Sequence, residues 1–502
     1  MKNRFTALAI PYALGALLLT SCGTQVVNPV SGQAERSVMS EEAELAEGVK
    51  GHREVLKEYG VVKNAALQGY VNTLGQKLAA QSHRTQLKWH FTVLDSPEIN
   101  AFALPGGYVY VTRGIMVYLE SEADLAGVIG HEIGHVTARH GAQRATSQQN
   151  AGLGVLAANI LGAVLESQGY SGAGQLAGQV SQTVAAGYIA SYGREQELQA
   201  DGLGAEYLYR TRYDPQNMVD VIKVLKNQEL FAAEQAKADG RPAPAKGDWL
   251  ASHPSNDQRL DAITRLAEQY QGKDRYNDEG RQRYLTALQN LHFGDNPEQG
   301  LVRGRNFYHE ALGVALTAPA GWNLQNESAQ LAVVSPSGDA ALIMRAVPAD
   351  VGKSPAEVVR AMVKPTQGRL EATTINGLQA SRFVGFRTSS SGAQVPLEAT
   401  VINGPRDKVY LLQSSARDAS AMARARTALR ETEGSFRAIT AADRAAARPW
   451  VIKTVPYPAG GFAELARTSP IARPEQQLRL INGFYGGGEP ARGQLVKVVV
   501  PQ

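Results

Sequence analysis

Apolar residues repeat with two different periods along the chain of 502 residues. Between residues 67 and 78 an apolar residue recurs every three or four positions, which predicts a helix. Ser40, followed by two glutamates, predicts the start of an earlier helix. From residue 87 the spacing falls to two, and the segments LKWHFTVLD, AFAL and YVYVT predict short strands with a Pro-Gly-Gly turn. We therefore expect helices followed by a β-hairpin.

A further helix is predicted directly after that hairpin, starting at Ser121. Ser121 and Asp124 have the spacing of a capping box, and apolar residues follow at helical intervals. Glycines at 127, 130 and 134 cost helix stability, roughly 1 kcal/mol each relative to alanine. Their presence is explained if another backbone packs closely against this helix.

Helical patterns continue to about residue 290, where the pattern changes. Segments such as GVALTAP, ALIMRAV and KVYLLQSS predict strands, with the helical pieces PAEVVRAMV and MARARTALRETEGSF among them. The sequence predicts an α+β multidomain fold without tandem repeats. We expect a mainly helical domain with a small β-hairpin or sheet at 40–292, an α+β domain of unknown role at 300–442, and a small βααβ unit at 447–502.

Composition agrees with a folded, multidomain chain. Apolar residues make up 43% and charged residues 20%, which is typical of globular proteins and not of disordered ones. The length exceeds what one hydrophobic core usually supports. The formal net charge is +4, and no run of lysine and arginine forms a nucleic-acid footprint, so a nucleic-acid partner is not expected.

The first 21 residues predict a signal peptide. Lys2 and Arg4 precede an apolar stretch too short to span a bilayer comfortably, and Leu-Thr-Ser stands before Cys22. This resembles a bacterial lipoprotein cleavage box, which implies acylation of Cys22, the only cysteine in the chain. The alternative is an ordinary signal peptide with an incidental cysteine. Residues 22–39 are then expected to form a polar tether, and Gly23 implies, by the same resemblance, the periplasmic side of a Gram-negative outer membrane.

His131, Glu132 and His135 form a His-Glu-x-x-His motif in the predicted helix. Residues four apart lie on nearly the same helix face, so both imidazoles can bind one zinc ion. Glu132 can reach a zinc-bound water and take its proton as the water attacks a peptide carbonyl. The alternative is a solvated helix face with incidental histidines. The motif predicts one Zn²⁺ per chain and peptide hydrolysis.

Catalytic zinc needs a third protein ligand and keeps one position open. A histidine at metzincin spacing is absent, because the position ten residues after His131 is Gly141. The acidic candidates downstream are Glu166, Glu195 and Glu197. We favour Glu197, because Asp201 follows one turn later and can accept the second ring N–H of a ligating histidine. A solvated, charged helix face is the alternative.

Four motifs, in this order, resemble those of a known protease family. They are NAFALPGG at 100–107, HEIGHVTARH at 131–140, REQE with AD at 194–201, and His253 followed by proline. Over about residues 40–290 the chain resembles the membrane-associated gluzincin endopeptidases of the HtpX and CAAX prenyl protease group, above all the periplasmic beta-barrel assembly-enhancing protease branch. The resemblance implies zinc on His131, His135 and Glu197, with Glu132 as the general base.

The resemblance also implies where substrate binds. Asn100, Ala101, Phe102 and Ala103 are expected to form a strand at the edge of a sheet, which could pair with an extended substrate. His253 in such proteins can fill the open zinc position and hold the enzyme latent. Donation of a hydrogen bond to the transition state is a competing role, and packing at a helix start is a third interpretation.

Further residues are expected around the ligands. Arg194 and Arg259 are candidates to brace the acidic ligand helix electrostatically, and a surface position is nearly as compatible with the sequence. His140 faces away from the ligand pair in a helical projection, so we expect it at the surface or behind a ligand.

The C-terminal unit resembles a degenerate LysM module, a βααβ fold that binds glycans containing N-acetylglucosamine. The segments LRLING at 478–483 and GQLVK at 493–497 carry the resemblance, whereas AGGF at 459–462 replaces the usual Gly-Asp-Thr. Binding of peptidoglycan is therefore an expectation that competes with a purely structural role. The tetratricopeptide repeats that usually follow the protease domain in the resembling branch are not predicted here.

The sequence thus predicts a lipid-anchored zinc endopeptidase of the bacterial cell envelope. Its expected substrates are misfolded or stalled envelope proteins, hydrolysed by attack of water assisted by Glu132. The alternative is a largely latent factor, chaperone-like or targeted to peptidoglycan, that assists assembly of outer-membrane proteins.

Overall fold

A computed structural model describes residues 24–149, 192–238, 253, 257–270, 276–326, 330–352, 354–388 and 394–502. The predicted signal peptide, Cys22 and Glu166 lie outside these ranges. Within them helices and several β-sheets alternate in separate parts of the chain, which confirms the α+β multidomain class. In this described part no helix combines the length and apolarity needed to cross a bilayer.

The N-terminal part is mainly helical. Its helices are α1 (Glu41–Tyr59), α2 (Ala65–Ala79), α3 (Arg113–Tyr118), α4 (Glu122–Thr137), α5 (residues 140–149), α6 (Arg194–Arg210), α7 (Gln216–Ala238), α8 (Asp257–Glu268) and α9 (Arg281–Ala287). Its strands are β1 (Thr24–Val27), β2 (Ala34–Ser37), β3 (His90–Leu94), β4 (Ala101–Leu104), β5 (Tyr108–Thr112) and β6 (His292–Phe293). Ser40 caps α1 and Ser121 with Asp124 forms the capping box of α4, so both predicted helix starts are confirmed.

Three of these strands form a small sheet in the order β3, β5, β4. β4 and β5 are the predicted hairpin, paired antiparallel from Ala101 opposite Val111 to Leu104 opposite Tyr108. β3 pairs with β5 in parallel. β4 is therefore the last strand of the sheet within the described residues. The hairpin leads into α4 through the short helix α3, which the sequence pattern did not indicate.

The middle part is built on antiparallel sheets. Its strands are β7 (Leu301–Arg303), β8 (Asn306–His309), β9 (Val314–Thr317), β10 (Asn323–Asn326), β11 (Leu331–Val334), β12 (Ala340–Ala346), β13 (Gln367–Ile375), β14 (Leu378–Thr388), β15 (Gln394–Asn403), β16 (Val409–Ala416) and β17 (Arg437–Ala438). Its helices are α10 (Pro355–Val358), which continues as a π-helical turn (Val359–Val363), α11 (Ala419–Gly434) and α12 (Ala441–Ala446). A seven-stranded sheet runs in the order β10, β11, β12, β16, β15, β14, β13, and a four-stranded sheet in the order β17, β9, β8, β7.

The C-terminal part has the predicted order of strand, helix, helix and strand. It contains β18 (Trp450–Pro456), α13 (Gly461–Ala466), α14 (Pro474–Ile481) and β19 (Leu495–Pro501). β18 pairs with β19 on one side and with β6 on the other. Phe462 and Leu478 of this part belong to the same hydrophobic core as Val128 of α4 and Leu208 of α6. The C-terminal part therefore shares a core with the helical part, whereas the middle part has hydrophobic clusters of its own.

Two helices at the centre of the shared core cross at glycines. A Cβ atom added to Gly130 of α4 would lie 3.3 Å from the Cα of Gly204 on α6, and one added to Gly134 would lie 3.0 Å from the carbonyl oxygen of Ala200. The expectation that another backbone packs against the glycines of α4 is confirmed. This close crossing determines which α6 residues face the histidines of α4.

Candidate metal centre

α4 supplies two imidazoles to one point. His131 and His135 lie one turn apart, and their Nε2 atoms are 3.0 Å apart. The whole of α4 is buried, so both rings are held by packing on every side. At the start of the helix, Asp124 accepts hydrogen bonds from the backbone N–H groups of Glu120 and Ser121, which fixes where the helix begins.

α6 brings a carboxylate to the same point. Glu197 Oε1 is 3.5 Å from His135 Nε2, and Glu197 Oε2 is 3.7 Å from His131 Nε2. Glu197 is fully buried, unlike Glu195 two positions earlier, which is exposed. The structure thus brings together the acidic residue that the sequence favoured and the two histidines.

His253 reaches the cluster from a distant part of the chain. Its Nδ1 atom is 3.2 Å from His131 Nε2 and 3.1 Å from Glu197 Oε1. One ligand atom from each of His131, His135, Glu197 and His253 lies within 4.8 Å of the other three. All four residues are buried, and the cluster is a candidate site for a single metal ion.

Hydrogen bonds behind the histidines determine which ring nitrogens carry protons. His131 Nδ1 lies 2.9 Å from the Asp201 carboxylate oxygen Oδ1, which favours a proton on Nδ1 and therefore a bare Nε2. His140 donates from Nε2 to Gln199 Oε1, and its free Nδ1 accepts from His135 Nδ1 at 2.9 Å. His135 Nε2 is then also without a proton. Two bare nitrogen lone pairs therefore face each other across 3.0 Å, an arrangement that a cation between them stabilises.

Arg259 of α8 holds the carboxylates of α6 in place. Its guanidinium donates to both oxygens of Asp201 at 2.8 Å and lies 2.8 Å from Glu197 Oε2. Burial alone would raise the pKa of Asp201, but the charge of Arg259 and the bonds from His131 and Arg259 keep that pKa below its usual range. Asp201 is therefore a carboxylate that orients His131, as second-layer carboxylates do at zinc sites.

Glu132 faces the cluster without being one of its donors. It is fully buried, and neither of its oxygens has a hydrogen-bond partner in the part of the chain that the structure describes. Its Oε1 is 3.6 Å from His253 Nε2. Burial raises the pKa of Glu132, although the neighbouring histidines act in the opposite direction. A buried carboxylate without a hydrogen bond is costly unless a ligand or a cation completes its surroundings.

The donor set fits zinc. Two or three imidazole nitrogens and one carboxylate are ligands that zinc prefers, and bonds of about 2.0–2.2 Å in a tetrahedral site place ligand atoms roughly 3.3–3.6 Å apart. The nitrogen and oxygen atoms found here are separated by 3.0–3.7 Å. Burial lowers the pKa of His135 well below its ordinary value and that of His140 to about 4, so both rings stay neutral, as metal ligation and its support require.

Other residues singled out from the sequence lie in different environments. Ala101, Phe102 and Ala103 belong to the edge strand β4, and Asn100 precedes it; all four are at most 5% exposed. Arg194 is exposed at the start of α6, and Arg259 takes the bracing position instead.

The sequence pattern gave no sign of Tyr192 at the site and left two positions open for His140. Tyr192 stacks on His135 with ring centroids 3.9 Å apart, and nothing in its sequence context marks it. His140 is fully buried behind His135, one of the two positions expected for it. Its alignment behind a ligand follows from a bend after α4, where Arg139 has a positive φ of 59°.

The part of the chain that contains this site is similar in sequence to a known peptidase family. Residues 65–267 match peptidase family M48. The chain carries an M48 peptidase domain. It is 29% identical over 264 residues to the beta-barrel assembly-enhancing protease of Yersinia pestis and 31% identical over 182 residues to the mitochondrial metalloendopeptidase OMA1 of Arabidopsis thaliana. M48 metalloproteases use zinc, and the ligands found in the structure lie inside the matched M48 domain.

The similarity covers only part of each protein. The match to the Yersinia protease includes 52% of this chain and 51% of the relative, so the chain spans about half the length of the assembly-enhancing proteases it matches. Among solved structures, LpqN of Mycobacterium tuberculosis aligns with 25% of this chain and 83% of that protein, at 20% identity and a TM-score of 0.21. The PsbP protein of Synechocystis aligns with 28% of this chain at a TM-score of 0.21. These two likenesses are too slight to support a statement about function.

Proposed function

We propose that this protein is a zinc-dependent endopeptidase of the bacterial cell envelope that hydrolyses misfolded or stalled envelope proteins. The observation that carries the proposal is the buried Glu132 carboxylate, which has no hydrogen-bond partner within the described residues, beside His131, His135 and Glu197. A structural metal site has no need of a free carboxylate next to it, whereas hydrolysis needs a base at that position.

The residues of the chain divide the chemistry among them. His131, His135 and Glu197 would hold the zinc, which supplies Lewis acidity towards water and the substrate carbonyl when bound. Glu132 takes a proton from the attacking water and delivers it to the nitrogen of the leaving amine. Asp201 and Arg259 keep the ligands in the geometry that this transfer needs.

His253 is proposed to hold the enzyme latent. Its Nδ1 lies within 3.2 Å of two of the other ligand residues, where it would complete the coordination of zinc and leave no open position for water. Arg259 donates to the backbone carbonyl of His253 at 3.2 Å, which stabilises this arrangement. In the competing role, donation to the transition state, His253 would instead point its other ring nitrogen at the substrate. That nitrogen is 3.6 Å from Glu132 in this structure.

β4 is the proposed binding site for the substrate backbone. It ends the sheet within the described residues, and an extended peptide can add to such an edge by main-chain hydrogen bonds. Its residues are buried here, so binding requires the edge to open. Burial of both β4 and the four ligand residues supports the interpretation that this structure represents the latent state.

Location and substrates are proposed from the relatives and the N-terminus. Several relatives are named beta-barrel assembly-enhancing proteases, which indicates an envelope role for those proteins. Acylation at Cys22 would place the M48 domain at the periplasmic face of the outer membrane. The closed site also agrees with a second candidate function, a largely latent assembly factor, and the two candidates differ in whether Glu132 is used.

Casein cleavage by the zinc-loaded full-length protein tests the proposal. Wild type, Glu132→Gln and His253→Ala are compared at equal zinc content, with a chelator-treated sample of each. We expect His253→Ala to cleave casein, and Glu132→Gln to be inactive although it binds zinc. If wild type and His253→Ala are both as inactive as Glu132→Gln, the endopeptidase proposal is lost.

A further inference from the structure

A cavity of about 220 Å³ lies beside the metal-ligand cluster. Most of its walls are apolar and come from four separate parts of the fold. They are Met39 from the segment before α1, Ala103 and Pro105 from the β4–β5 hairpin, Ala145 from α5, and Tyr192. The cavity therefore depends on the tertiary fold of the M48 domain and is not the groove of a single element.

The cavity lies next to the candidate active site. Tyr192 forms part of its wall and stacks on the ring of His135 at 3.9 Å. A smaller neighbouring cavity, which His135 itself lines, shares Ala103, Pro105 and Tyr192 with it. One aromatic ring thus separates the larger cavity from a metal ligand, and β4 borders both cavities. A peptide paired with β4 would therefore lie beside both cavities.

The charges around the cavity favour an uncharged occupant. Among the described residues that line it, Glu47 is the one acid and Arg144 the one base, so their charges balance. A charged side chain of either sign would lose hydration and meet a like charge as well as an opposite one there, whereas an apolar side chain would gain burial. A cavity of about 150 Å³ lined by apolar residues accommodates benzene, so this one is large enough for an aromatic ring.

We propose that this cavity is a specificity pocket that receives one bulky, uncharged side chain of the substrate, aromatic or branched aliphatic, close to the scissile bond. The proposal rests on the proposed function, because it takes β4 as the substrate-binding edge. It defines the substrate class: segments with exposed large apolar residues, which unfolded proteins present and folded ones bury. The exposed side chains of Leu45 and Val49 on α1, 41% and 42% accessible, extend the apolar surface beyond the hairpin.

Peptide binding to an inactive protein tests the pocket separately from catalysis. The full-length His253→Ala, Glu132→Gln protein, loaded with zinc, is titrated with fluorescent Gly/Ser peptides that carry a single Phe or, as the control, a single Ala. Fluorescence anisotropy gives the two dissociation constants. We expect the Phe peptide to bind at least about tenfold more tightly, since burial of one large side chain accounts for that difference.

Pocket variants identify where the Phe side chain binds. Ala145→Phe fills the cavity and should abolish the preference for Phe, and Gln148→Trp, at an exposed lining position, provides a second obstruction if Ala145→Phe does not fold. Ser147→Phe is the matched control, because Ser147 is exposed on the same helix and does not line the cavity. The preference should survive in that control.

The possible outcomes separate the two proposals. Equal binding of both peptides, or a preference that persists in folded Ala145→Phe and Gln148→Trp, overturns the specificity pocket. Casein cleavage by the zinc-loaded His253→Ala enzyme reports on the endopeptidase function independently. Casein cleavage without a preference for the Phe peptide supports the endopeptidase function and overturns the pocket. A preference for the Phe peptide without casein cleavage supports the pocket and overturns the endopeptidase function.

Discussion

At the scale of single residues, the metal centre depends on groups that never contact the metal position. Asp201 fixes the proton of His131 on Nδ1, and His140 fixes that of His135. Each thereby turns a bare Nε2 towards the same point. The sequence predicted the first of these partners from helical spacing, because Asp201 lies one turn after Glu197. It could not place His140, since the bend that turns its ring behind His135 is a tertiary feature.

Replacement of Asp201 should weaken zinc binding. Asp201→Asn loses the carboxylate that orients His131 and the charge that pairs with Arg259, and such partners typically account for about 10- to 100-fold in metal affinity. Glu195→Gln removes an exposed carboxylate from the same helix and is the matched control. Competition with a zinc chelator measures both affinities. Equal affinities in the two variants would contradict the role given to Asp201.

Removal of the His253 ring should activate the enzyme. If the open form of the wild type is a minor state, populated to about 0.1–10%, His253→Ala should raise the rate by about 10- to 1000-fold. X-ray absorption at the zinc edge should at the same time show one imidazole fewer. An unchanged rate together with an unchanged ligand count would exclude His253 as the residue that blocks the site.

At the scale of elements, the crossing of α4 and α6 is what brings Glu197 to the histidines. The glycines of α4 and Gly204 of α6 let the two backbones approach closely. The sequence indicated this contact, because glycines in a helix interior are costly without such a reason. It also predicted the capping box and the hairpin, which are local patterns. It missed α3 and the parallel pairing of β3 with β5, because neither has a local signature.

An added methyl group at the crossing should separate the helices. In Gly134→Ala the new Cβ would lie 3.0 Å from the Ala200 carbonyl oxygen, so we expect a loss of about 1–3 kcal/mol in unfolding free energy and weaker zinc binding. Gly69→Ala in α2 has open space around the new methyl group and should instead stabilise by up to about 1 kcal/mol. Urea unfolding measures the unfolding free energy of both variants. Stabilisation by Gly134→Ala would contradict the prediction, because it would show that the helix crossing accommodates an added methyl group.

At the scale of the whole molecule, the C-terminal part contacts the start of α4 through buried polar interactions. Lys497 of β19 is fully buried, and its ammonium donates to the carbonyl oxygens of Val117 and Leu119 at 2.9 and 2.6 Å. It also pairs with Glu120 at 2.7 Å, directly before the cap of α4. The C-terminal unit, which the sequence predicts as a separate module, thus helps to hold the start of α4 in place. Sequence patterns indicate the elements of such a unit but not the surface on which it packs.

Loss of this lysine should destabilise the M48 domain and not only the C-terminal part. Lys497→Met leaves the carbonyl oxygens of Val117 and Leu119 buried without their donor, which costs about 1–3 kcal/mol, although Glu120 keeps its ion pair with Arg281. Arg492→Met removes an exposed charge from the same unit and is the control. Thermal unfolding followed by zinc release should show a lower transition temperature only for Lys497→Met. Zinc release at the wild-type temperature would contradict a shared folding unit.

The proposal as a whole depends on Glu132 acting as the base beside the metal. The most direct measurement compares the rates at which two full-length variants, His253→Ala and His253→Ala with Glu132→Gln, cleave casein at one zinc per chain. The proposal predicts that the second variant is slower by about 10²- to 10⁴-fold, the usual contribution of a general base, with its zinc content unchanged. Equal rates in the two variants would contradict it.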